Sequence, residues 1–144
     1  MSTNLIPAPG KVDISGRGRV FSALAGVSTL AIFLQALWAG IFLEHDGERD
    51  AASGWIDVHA RGGEVAIAFA LAATVFAFAR MRARTDLWLG GAALTALLVL
   101  ESYLGGLIRD QSKDFLTAVH VPIAMAAMGL AVWLPLRARW HHER

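Results

Sequence analysis

Four stretches of the chain are apolar over about 20 residues or more, the length an α-helix needs to cross the hydrocarbon core of a bilayer. They are residues 20–43, 56–79, 87–108 and 115–136, and charged side chains are concentrated in the short links between them. The second stretch has the most polar start. Asp57, Arg61 and Glu64 crowd it, and its clean apolar part begins only at Val65. The other three stretches nevertheless require a return crossing there. Short links force consecutive helices to run antiparallel. The pattern thus predicts an all-α membrane protein, a four-helix transmembrane domain over residues 20–137 arranged up-down-up-down. Residues 1–19, with Pro7, Pro9, Gly10 and Gly16, read as a flexible tail, and 138–144 as a second short tail. The first apolar run is too long for a signal-peptide core and no small-residue cleavage site follows it, so it reads as a span.

Composition supports the same class. Of 144 residues, 56% are hydrophobic and 17% charged, against about 45–50% and 25% in soluble domains. That excludes a disordered chain, a coiled coil and a nucleic-acid-binding module. Cysteine is absent, which excludes disulfides, thiolate metal sites and iron–sulfur clusters. Charge adds direction. Lys11, Arg17, Arg19, Arg80, Arg82, Arg84, Arg137, Arg139 and Arg144, nine of the 13 basic residues, fall on one side of the predicted bundle. The other side carries Glu44, Asp46, Glu48, Asp50, Asp57, Asp110 and Asp114. The positive-inside rule then places both termini in the cytoplasm, in a multi-pass protein of a prokaryotic plasma (inner) membrane. Trp55, Trp88, Trp133 and Trp140 lie near span ends, where interfacial indoles belong.

The spans repeat in pairs. The segment from Leu34 to Ile41 aligns with that from Leu100 to Leu107, matching Gln35 to Glu101 and Gly40 to Gly106. Val58-His59 aligns with Val119-His120. The predicted bundle is therefore built from two similar helical hairpins of the same orientation, related by an axis along the membrane normal.

The repeat brings out the candidate chemistry. His59 and His120 begin spans of the same polarity at similar depth, and helices two and four are diagonal in such a bundle. Two imidazoles facing each other across a bundle core can fill both axial positions of a haem iron. Gly62, Gly63, Ala66 and Ala70 follow His59, and Ala124, Ala127 and Ala131 follow His120. Small residues there leave room for a flat macrocycle, and they equally let membrane helices pack closely. Gln35, Glu64 and Glu101 lie about 10–12 Å below the acidic ends of their spans. They form an expected polar layer, with Gln35 within hydrogen-bond reach of Glu101, directly or through water. This layer reads as a set of acceptors for the imidazoles, a proton path or inter-helical glue. Arg61 is a candidate partner for a haem propionate and Asp57 for an imidazole N–H, or both are solvated interface charges. His45, His141 and His142 read as solvated.

These residues resemble one half of a haem A synthase. That family has eight spans in two four-helix halves, with a histidine at the outer start of the second and fourth helix of each half. The resemblance rests on Gln35 to Gly40, Val58-His59-Ala60-Arg61, Leu104-Gly105-Gly106 and Thr117-Ala118-Val119-His120, and spans roughly residues 20–137. The chain also looks like small four-span membrane proteins with the same histidine pattern. The resemblance implies that His59 and His120 are haem ligands. Where the family carries a glutamate three residues before the first histidine, this chain has Ile56. Only one half is present, and the family's activity uses two haem sites, so haem A synthesis is not expected of it.

The expectation is a haem-binding protein of the b-type cytochrome kind. One haem b per chain would be held by His59 and His120 and contacted by Gln35, Arg61, Gly62, Gly63 and Glu101, with no catalytic residue assigned. It would serve electron transfer or haem handling, as a subunit of a larger respiratory or membrane complex or as a homodimer. Two alternatives stand beside it: a haem-free accessory subunit, and a small-molecule or proton transporter using Glu64 and Glu101. The topology is testable by tags at residues 48 and 144 in intact cells. Only the residue-48 tag should be labelled from outside, and external labelling at 144 would invert the map.

Overall fold

The computed structural model describes residues 16–44 and 49–140. Four helices make up nearly all of it: α1 (Gly16–Leu43), α2 (Arg49–Arg80), α3 (Thr85–Gln111) and α4 (Thr117–Arg139), with a single 3-10 turn at Asp114–Leu116. All four are long and apolar enough to cross a membrane, and the fold is an all-α four-helix membrane bundle. Each helix packs on its neighbours in sequence and α1 closes the ring against α4. Among the described residues the diagonal pairs, α1 with α3 and α2 with α4, have no Cα atoms within 8 Å of each other. This is the up-down-up-down arrangement that the short links demand.

The helices outrun the hydrophobic stretches that announce them. Residues 16–19, expected in the tail, are the first turn of α1, and α2 starts at Arg49 rather than near 56. Hydropathy marks only the segment immersed in hydrocarbon, whereas the hydrogen-bonded helix continues into the interface. The extra turns of α2 are anchored by buried Ala52 and by Trp55, whose ring stacks on Trp38 of α1 at 5.6 Å and 19°. The expected tails up to residue 15 and from 141, with His45, His141 and His142, lie outside the described residues.

Small residues set the spacing inside. Ala66, Ala70, Ala73 and Ala77 line the buried face of α2, and Ala127, Ala131 and Ala138 that of α4. A Cβ on Gly91 of α3 would lie 2.6 Å from Thr74 Oγ1, so only glycine permits that approach of α2. Larger side chains point the other way: Leu30, Phe33, Tyr103, Phe115 and Met125 are exposed on the outer surface, where lipid, not water, is the solvent.

Polar groups inside are paired with backbone across helix seams. Ser28 Oγ donates to the Ala66 carbonyl at 2.9 Å. Thr29 Oγ1 lies 2.8 Å from the Ala131 carbonyl and 2.8 Å from that of Ala25. The Ala131 contact has a specific cause. Pro135, inside α4, has no N–H, so the carbonyl four residues before it loses its helical donor. Thr29 supplies that donor from the neighbouring helix, one of the ways membrane helices tolerate proline.

The basic end is tied by Asp86, in the first turn of α3. Its carboxylate takes Arg84 Nε at 3.0 Å and Arg137 Nε at 2.9 Å, and Arg84 also donates to the Arg137 carbonyl at 2.9 Å. This joins the α2–α3 turn to the end of α4. At the acidic end α3 stops on Ser112, at φ 52, whose N–H returns to the Leu107 carbonyl.

The Thr29 contact predicts a compensating pair. Thr29→Val should cost about 1 kcal/mol of stability in detergent unfolding. In a Pro135→Ala background, where a backbone donor is restored, that cost should largely disappear.

Candidate functional site

His59 and His120 stand on the diagonal helices α2 and α4, both half-buried. Their surroundings are built by their own hairpins. His59 Nδ1 is 3.2 Å from the backbone carbonyl of Gln35 on α1. A carbonyl can only accept, so Nδ1 carries the proton and, in the neutral ring, the lone pair is on Nε2. His120 Nδ1 lies 2.8 Å from Oε2 of Glu101 on α3. Those two atoms are close, but the carboxylate is off the N–H direction, and His120 Nδ1 has no aligned hydrogen bond.

Gln35 and Glu101 hold the repeat-equivalent positions, but they do not bond to each other. The Gln35 amide donates back to the Ala31 carbonyl of its own helix at 3.0 Å, and Glu101 turns to His120. The expected Gln35–Glu101 hydrogen bond is therefore replaced by one imidazole contact in each hairpin. The reason is the ring order, which puts α1 and α3 on a diagonal. Glu101 is only 8% exposed and does not face lipid. Three buried polar atoms in this layer, Gln35 Oε1, Glu101 Oε1 and His120 Nδ1, have no hydrogen-bond partner. Such orphans are few in folded proteins and mark places where a ligand or a rearrangement would satisfy them.

Two glycines shape the layer. A Cβ on Gly62 would collide with Gln35 Nε2, so Gly62 is what lets the Gln35 amide lie against α2. A Cβ on Gly105 would meet His120 Cε1 at 3.8 Å, an ordinary contact, and one on Gly63 or Gly106 would meet nothing within 4 Å.

Other expected members lie elsewhere. Glu64 does not belong to the interior layer. Its side chain is 59% exposed and pairs with Arg61, itself 79% exposed, at 3.0 Å. Three residues apart on one helical face, the two form a surface pair. Arg61 is thus turned away from the histidines. Asp57, 76% exposed, faces Arg109 of α3 at 4.0 Å and leaves the imidazole of His59 to the Gln35 carbonyl. Of the two carboxylates named in the transporter expectation, Glu101 is buried beside His120 and Glu64 is exposed.

The site is a two-imidazole site with a carboxylate beside one ring. Among the described residues no group of three or more His, Asp or Glu side chains converges as a metal site. A haem brings four nitrogens of its own, so two histidines are the donors such a group would take from the protein. An open groove of about 410 Å³ lies elsewhere, at the basic end, and none of these residues lines it. No protein-family model, curated protein or solved structure matches the chain.

The Glu101–His120 contact can be probed in protein prepared without haem. His120→Ala strands a buried carboxylate and should cost about 1–3 kcal/mol in thermal unfolding. Adding Glu101→Leu should recover part of that loss.

Proposed function

We propose that the protein is an integral membrane haem-binding protein of the b-type cytochrome kind, with His59 and His120 as the two protein ligands of one haem b. The observation that carries this reading is the pair of imidazoles on diagonal helices, each with Nδ1 against an acceptor of its own hairpin. Metal-ligating histidines are held in this way, one nitrogen oriented by a carbonyl or carboxylate and the other directed to the metal. The resemblance to one half of a haem A synthase points to the same two residues.

The chain's own groups have distinct parts in this reading. The Gln35 carbonyl fixes the His59 ring and its tautomer. Glu101 accepts from His120 once the ring turns to align its N–H. Gly62 gives the Gln35 amide room against α2, and Gly105 lies against the His120 ring. Haem held by His59 and His120 would supply one-electron redox chemistry. Electron transfer or haem handling follows, in a prokaryotic plasma membrane with both termini cytoplasmic, beside a larger membrane complex or as a homodimer. A second reading, a haem-free accessory subunit, is favoured by one fact. Both rings already touch groups of neighbouring helices, as inter-helical glue would.

Absorption spectroscopy of the purified protein, expressed with ample haem, separates the two. A low-spin Soret band is expected, abolished or converted by His59→Ala or His120→Ala and unchanged by His45→Ala or His141→Ala. A wild-type protein without a Soret band leaves the accessory-subunit reading.

A further inference from the structure

At the basic end of the bundle, an open groove of about 410 Å³ runs along the seam of α1 and α2, lined by Gly16, Arg17, Val20, Phe76 and Arg80. Its walls combine two chemistries. Val20 and Phe76 are apolar and belong to the membrane-crossing part of their helices. Arg17 and Arg80 are exposed cations at its rim. Arg17 is held there, because one of its guanidinium nitrogens donates to the Arg80 carbonyl at 3.3 Å.

Among the described residues, positive charge at this end exceeds negative. Asp86 is the only described carboxylate near it, and that group is already taken by Arg84 and Arg137. Arg19 and Arg82 add further exposed positive charge in the same turns. A guanidinium pair above an apolar trough, at the depth where a bilayer carries its phosphates, matches an amphiphile with an anionic head and an acyl chain. A soluble anion would leave Val20 and Phe76 uncovered, and an uncharged lipid would leave the arginines without a partner. We infer that this groove is a binding site for one anionic phospholipid, its phosphate between Arg17 and Arg80 and an acyl chain over Val20 and Phe76.

The site is independent of haem, so native mass spectrometry of the full-length protein tests it with or without the cofactor. Protein released from micelles containing equal phosphatidylglycerol and phosphatidylcholine should retain one phosphatidylglycerol. An Arg17→Gln/Arg80→Gln variant should retain it roughly tenfold less or weaker still, the scale expected for removing two cations from a membrane-surface site. Arg139→Gln, on the same end but outside the groove, should retain it as the wild type does. Val20→Trp, which fills the trough and leaves the charge intact, should also lower retention and covers the case in which the double variant fails to fold. Equal retention of the two lipids, or unchanged retention in Val20→Trp, would overturn the proposal. So would binding only after removal of residues 1–15, since the groove would then belong to the chain's own N-terminal segment.

Discussion

Hydrocarbon offers no hydrogen bonds, so every polar group in the membrane-crossing part of this protein must find its partner inside the bundle. Most of the interior follows from that constraint. Helices satisfy their own backbone, and Ser28 and Thr29 spend their hydroxyls on backbone carbonyls across the helix seams. The proline in α4 shows how closely the account is kept. Removing one N–H at position 135 leaves the Ala131 carbonyl open, and a threonine on another helix closes it.

The histidine layer is where this rule is least well satisfied. Gln35, Glu101 and His120 each keep one buried polar atom without a hydrogen bond. Elsewhere the buried side chains are mostly alanine and leucine, with Phe21, Ile32 and Ser28, whereas these atoms cluster at one depth near the acidic end. A bundle selected only for packing would gain nothing from a buried carboxylate, which costs several kcal/mol to desolvate and is tolerated when it faces the interior and serves a partner. Glu101 meets both conditions beside His120. Its repeat counterpart Gln35 meets His59 with its backbone carbonyl instead, so equivalent positions in the two hairpins approach their imidazoles with different groups.

The two ends of the bundle are handled differently because water and headgroups are available there. At the acidic end, Arg109 forms exposed pairs with Asp57 and Asp110, worth little to stability. At the basic end, the half-buried Asp86 ties α3, α4 and the α2–α3 turn together. Arg17, Arg19, Arg80, Arg82 and Arg139 are exposed there.

The four-helix membrane architecture, its antiparallel order and the placing of His59 and His120 on alternate helices were legible in the sequence. Hydropathy, link length and a repeat are properties of the chain itself. So were the small residues behind each histidine, because a one-residue reading of size needs no neighbour. The partners were not legible. The Gln35–Glu101 bond suggested by repeat symmetry gave way to contacts within each hairpin, since the ring order puts α1 and α3 on a diagonal. Glu64, at the right depth, turned out to face outward with Arg61, because depth along a helix does not fix the angle around it. The link from Thr29 to the carbonyl freed by Pro135 crosses about a hundred residues of chain and carries no local signal. Sequence determined which residues share a level of the membrane. Tertiary packing decided which of them meet, because rotation about each helix axis is set by the small-residue seams and not by hydrophobicity along the chain.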